Sequence, residues 1–195
     1  MKNMLERNKI ESLILILSLI LLAGLVYNFG NIVMILIPAL QQELGMTIVK
    51  LLSMTLGFIV IPTWIVKKIN LDIKNIPVEF NKKSAMILLF SVFLLNLLIL
   101  RSHELYTALI VATCEEYLFR YLLYGILVRT FNKNQAIIIT AVLFGVLLHL
   151  NGNLLVNIFT KIPAGIILSQ LAVRFGLQYS ISFHWFYNMI VGRLF

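Results

Sequence analysis

Charge is what this sequence has least of. Only 12% of its 195 residues are Asp, Glu, Lys or Arg, about half the roughly 25% of an average soluble domain. So few charges cannot clothe a compact fold in water. The 61% apolar content also excludes disorder, because disordered chains are poor in apolar residues. Cysteine is nearly absent: the single Cys114 rules out an internal disulfide and any paired-cysteine metal motif. No internal repeat and no low-complexity tract interrupts the chain.

What is there is a series of apolar runs with a mean hydropathy near +1. At about 20 residues per crossing, a chain of this length supplies about six to eight transmembrane helices with short loops. The expected fold is an all-α polytopic transmembrane bundle forming one integral membrane domain over residues 1–195. The runs place spans at about 12–28, 47–66, 84–100, 105–128, 135–150, 154–173 and 178–194, about seven in all. The first run follows Lys2, Arg7 and Lys9 as a signal peptide would. It is long and has no small-x-small cleavage site after it, so it is taken as a retained span.

The formal net charge of +8 does not point to nucleic acid, because the basic residues flank apolar runs. With seven spans and the N-terminus inside, one side collects Lys2, Arg7, Lys9, Lys67, Lys68, Lys74, Lys82, Lys83, Arg129, Lys133 and Arg174. The other collects only Lys50, Arg101, Lys161 and Arg193, and Arg120 sits within a span. That asymmetry predicts a cell-membrane protein with a cytoplasmic N-terminus. Residues 29–40 are short and interrupted by Pro38, so they read as a re-entrant or interfacial piece, or as an extension of the first helix. Lys161, inside the sixth span, reads as snorkelling to the outer interface. His103 reads as a solvated loop residue.

Ionisable groups deep in apolar runs are the informative residues, since such groups usually face the protein interior and do a job. Glu115, Glu116 and Arg120 lie in the fourth span, His149 closes the fifth, and His184 and Asn188 lie in the seventh. Glu116 and Arg120 are four apart, so on an α-helix they share a face and can pair. Glu115 is turned about 100° away and needs a partner from across the bundle. His184 and Asn188, also four apart, point together. A carboxylate and an imidazole that share a water can activate it, and imidazole and carboxamide N–H groups suit a developing oxyanion. Cys114 lies next to the acids but about 100° around the helix from Glu115, and no chemical role is assigned to it.

These residues resemble the CPBP intramembrane proteases, the family that includes the CAAX prenyl endopeptidases and the bacteriocin-processing or Abi-type bacterial proteins. The family pattern of Glu-Glu-x-x-x-Arg, Phe-x-x-x-His and His-x-x-x-Asn is met by Glu115, Glu116 and Arg120 and by His184 and Asn188. The resemblance spans about residues 84–195, the expected catalytic core. One departure is that Phe144 stands five residues before His149 rather than four, with Gly145 in the aromatic's place. On a regular helix that puts the pair about 140° apart.

The resemblance implies an endopeptidase acting on a membrane-associated substrate, either a peptide or a lipidated protein. Glu115 would be the general base working with His149 on the attacking water, with Glu116 and Arg120 in support and His184 and Asn188 as oxyanion stabilisers. The prenyl branch removes three residues from a lipidated C-terminus, whereas the shortness of this chain tilts the reading toward the bacterial type. A metal-free mechanism is favoured. A zinc version would use His149, His184 and Glu115 plus a water. The rival readings are a catalytically silent membrane scaffold or bacteriocin-immunity protein of the same fold, and a small proton-coupled transporter.

Overall fold

The computed structural model describes residues 2–71, 76–148 and 154–194. All regular structure among them is helical. Helix α1 is Lys2–Leu36, α2 Glu43–Lys68, α3 Lys82–Leu100 and α5 Lys133–Leu147, followed by α6 at Leu154–Phe175 and α7 at Leu177–Leu194. Between α3 and α5 lies α4, made of Leu105–Glu116, a π-helical stretch Tyr117–Leu123 and Tyr124–Leu127. Five of the expected spans lie within these helices; that at 105–128 overruns α4 by one residue, and that at 135–150 overruns α5, with 149 and 150 outside the described residues. Four helical stretches, Asn8–Leu36, Glu43–Lys68, Lys82–Leu100 and Leu154–Phe175, are long and apolar enough to cross a bilayer.

The helix ends follow from local chemistry. Residues 29–36 continue α1, the third of the expected alternatives for this segment. The helix stops before Pro38, which clashes with an α conformation at the residue preceding it, and Ile37 is accordingly extended (φ −115°, ψ 100°). A 3-10 turn, Pro38–Gln41, then reverses the chain. Asn81 caps α3 by accepting from the Ser84 N–H at 3.2 Å. Asn132 and Gln135 form a reciprocal capping box on α5 (2.9 and 3.3 Å). Between α6 and α7, Gly176 adopts φ +108°, where a side chain would be strained and would meet the Glu79 carbonyl 3.0 Å away. The Leu177 N–H donates to that carbonyl (2.9 Å), tying the α6–α7 turn to the segment that enters α3.

Packing is inside out relative to a soluble protein. Leu21, Leu25, Phe29, Met86, Ile87 and Phe159 are exposed, whereas Arg120 heads the fully buried large side chains. Apolar exposure on this scale is what a lipid-facing surface requires. Helices that gain nothing by hiding leucine from lipid associate through close backbone approach at small residues. Here α5 and α6 meet through Gly145 against Ile162 and Gly165 against Ala141. A Cβ at Gly145 would lie 2.6 Å from Ile162 Cγ1 and 3.0 Å from its backbone nitrogen. That contact sets Phe144 into the core, where it is 2% exposed.

Gly145→Val should therefore force α5 and α6 apart and cost about 1–3 kcal/mol, the usual range for overpacking. Gly24, with nothing within 4 Å of its would-be Cβ, is the control. Thermal unfolding in detergent should show a clear loss of stability for Gly145→Val and little change for Gly24→Ala.

Candidate active site

The site is built where α4 and α7 cross. Glu116, 0% exposed, is its centre. One carboxylate oxygen lies 3.3 Å from Arg120 Nε and accepts the Ser180 hydroxyl. The other is 2.9 Å from His184 Nδ1. A carboxylate accepts only, so the Nδ1–H of His184 donates to it. That bond fixes the ring and turns Nε2 toward Glu115, whose Oε2 is 3.7 Å away. The expected helix-face pair of Glu116 and Arg120 is thus present, and the partner that Glu115 needed across the bundle is His184.

The Arg120 guanidinium is enclosed by rings. Its carbon lies 4.7 Å from the Phe144 centroid and 5.6 Å from that of Phe119, distances at which an aromatic face attracts a cation. Among the described residues no hydrogen-bond acceptor satisfies any of its three nitrogens, so its charge is met by the Glu116 carboxylate and by these ring faces. Phe144 also packs edge-on to His184 (5.9 Å) and to Phe119 (5.3 Å). The departure in spacing therefore does not remove Phe144 from the site. A phase of about 140° holds only on a helix that runs on to His149, whereas α5 ends at Leu147. His149 itself lies outside the described residues.

The other candidates are placed as follows. Asn188 is half-buried one turn beyond His184 on α7. Cys114 is buried in the main apolar core, and His103 is exposed in the loop before α4, as expected. Lys161 is half-buried on the wall of a cavity of about 240 Å³ that it shares with Phe144, His184 and Tyr187, and its ammonium lies 5.7 Å from the Tyr187 ring centroid. The Lys161 face of α6 is thus turned toward α7.

Ser180 is the site residue that sequence reasoning missed. The signal was present, since Ser180, His184 and Asn188 recur every four residues and so form one polar stripe on α7. Among the described residues there is no group of three or more His, Cys, Asp or Glu placed to hold a metal. Glu115 and His184 supply two donors, and the third of the zinc reading, His149, is the one outside the described residues. Chemically, the cluster presents one carboxylate and one ring nitrogen toward a common point. A second carboxylate, an arginine and a serine hold them there.

Residues 102–190 match the family of type II CAAX prenyl endopeptidases, Rce1-like. No curated protein and no solved structure matches the chain. The match contains Glu115, Glu116, Arg120, His184 and Asn188, and begins within the core expected from about residue 84. This segment is thus similar to the CAAX prenyl endopeptidases, a family of peptidases.

Proposed function

We propose that this chain is an intramembrane endopeptidase of the CAAX-protease type that hydrolyses a peptide bond in a prenylated, membrane-associated substrate. In this reading residues 1–195 form one integral domain of the cell membrane, with about seven spans and a cytoplasmic N-terminus. The observation that carries the proposal is the 3.7 Å approach of Glu115 Oε2 and His184 Nε2 inside a buried cluster, with His184 on a cavity wall.

The chemistry runs through a water held by Glu115 and His149. Glu115 takes a proton from the water as its oxygen attacks the scissile carbonyl. The resulting oxyanion accepts hydrogen bonds from His184 Nε2–H and the Asn188 amide. For Nε2 to donate, the ring must carry both protons, with Glu116 as counter-charge to the Nδ1–H side. Collapse of the tetrahedral intermediate breaks the C–N bond, and the proton on Glu115 passes to the leaving amine. Glu116, Arg120 and Ser180 are positioning residues: they fix the ring and do not touch the reacting atoms.

We further propose that no metal takes part. The buried Arg120 cation already serves the two carboxylates, and a divalent ion beside it would add like charge in a medium of low dielectric constant.

Two measurements test these readings. In proteoliposomes, turnover of a prenylated peptide by Glu115→Gln should fall about 10²–10⁴-fold, the usual contribution of a general base. Undiminished turnover would remove Glu115 from the chemistry. Survival of the biological function without any turnover would favour the silent scaffold. For the metal, 1,10-phenanthroline should leave turnover unchanged, whereas loss that added zinc restores would establish the zinc version with His149, His184 and Glu115.

A further inference from the structure

The cavity beside His184 holds a charge that the reaction does not use. Its walls are mostly apolar, including Pro163, Ile167 and Phe183, yet Lys161 faces it. Among the described residues no carboxylate lies within ion-pair distance of Lys161. Its ammonium lies 5.7 Å from the Tyr187 ring centroid. A half-buried ammonium among apolar helices is costly unless something pays it back, and an aromatic face offsets only a part. A mostly apolar cavity with one ammonium on its wall suits an anion.

The helix geometry says where that anion sits relative to the site. Because α6 and α7 are joined at Gly176, both are measured from the same end of the bundle. His184 is seven residues from Leu177, and Lys161 is fourteen residues before Phe175. At 1.5 Å per residue these lie about 10 Å and about 21 Å from that end. Lys161 is therefore about 10 Å deeper than His184 along the helices. An extended peptide advances about 3.3–3.6 Å per residue, so three residues beyond a scissile bond at His184 bring a chain terminus level with Lys161. The cavity, about 240 Å³, is smaller than the roughly 300–1,000 Å³ of small-molecule sites. It suits the end of a chain rather than a whole ligand.

We propose that Lys161 is the specificity residue that receives the free C-terminal carboxylate of the peptide substrate, with the side chains of the departing residues against the apolar wall formed by Pro163, Ile167 and Phe183. This rests on the peptidase reading and adds to it the feature of the substrate that is recognised. A carboxylate carried into an apolar bundle needs a cation to meet it, and a chain whose end is blocked brings none. Lys161 thus measures the distance from the cut to the end of the chain.

Two prenylated peptides identical except for a C-terminal carboxylate or carboxamide separate the possibilities in proteoliposomes. The wild-type protein should favour the carboxylate by about tenfold or more in kcat/KM, the scale expected for a desolvated charge pair. Lys161→Met should bring the ratio close to one, and Lys161→Arg should keep most of it. Equal cleavage of the two peptides by the wild type overturns the carboxylate role alone. So does an equal fall for both in Lys161→Met, which would mean that Lys161 acts through Glu115. Cleavage of neither peptide by the wild type overturns the peptidase reading and this proposal together.

Discussion

One carboxylate holds the site together. Glu116 is fully buried and is shared by a guanidinium, a serine hydroxyl and an imidazole N–H. Two of those groups come from α7 and one from the helix of Glu116 itself, so the acid joins two helices and also sets the orientation of His184. Burying a charge is unfavourable until its lone pairs are met; here a hydroxyl and an imidazole N–H meet them, and the guanidinium supplies the counter-charge. Everything chemically interesting about Glu115 follows from this arrangement. A ring free to rotate would not keep Nε2 3.7 Å from the Glu115 oxygen.

The rest of the molecule can be understood as the frame for that contact. Polar groups lie inside and leucines outside, so the apolar exterior contributes little to holding helices to one another in lipid. Close packing takes over that role, as at Gly145 and Gly165 between α5 and α6. Hydrogen bonds across the bundle add to it: Thr63 with the Tyr117 hydroxyl at 2.9 Å, and the Trp185 indole N–H to the Leu105 carbonyl at 2.8 Å. The second of these bonds explains why Trp185 is a packing residue rather than an interfacial anchor. Trp64, exposed beneath Lys68 with the ammonium 5.0 Å from its ring, has the anchor's environment.

Much of this was legible in the residues because the energetic penalties are large. Charges and histidines in apolar runs are expensive, so Glu115, Glu116, Arg120 and His184 stood out before any fold was known. The spacing of four gave the Glu116–Arg120 pair. What spacing could not give was the partner across the bundle. Ser180 carries no charge, and a lone hydroxyl in a helix usually bonds back to its own backbone, as Ser169 does to the Gly165 carbonyl. The cavity that Lys161 lines was not legible for a related reason. Snorkelling is the default for a lysine near a helix end, and only the packing of α6 on α7 shows that its side chain shares a cavity with His184. The extent of α1 was legible only as one of three alternatives, because Pro38 marks where a helix stops but not whether the preceding residues join it.

The π-helical stretch Tyr117–Leu123 has a consequence for how such chains are compared. A π-turn closes its hydrogen bonds one residue later than an α-turn, so it behaves as an insertion absorbed within a continuous helix. Residues on either side are out of α-helical phase by about one position, roughly 100°. The acids before it and the core residues Ile126 and Leu127 after it therefore keep their separate facings only while the extra residue is retained. Across homologues, a one-residue gap in this stretch would mark a rotation of one half of the helix against the other, and with it a different set of neighbours for Arg120.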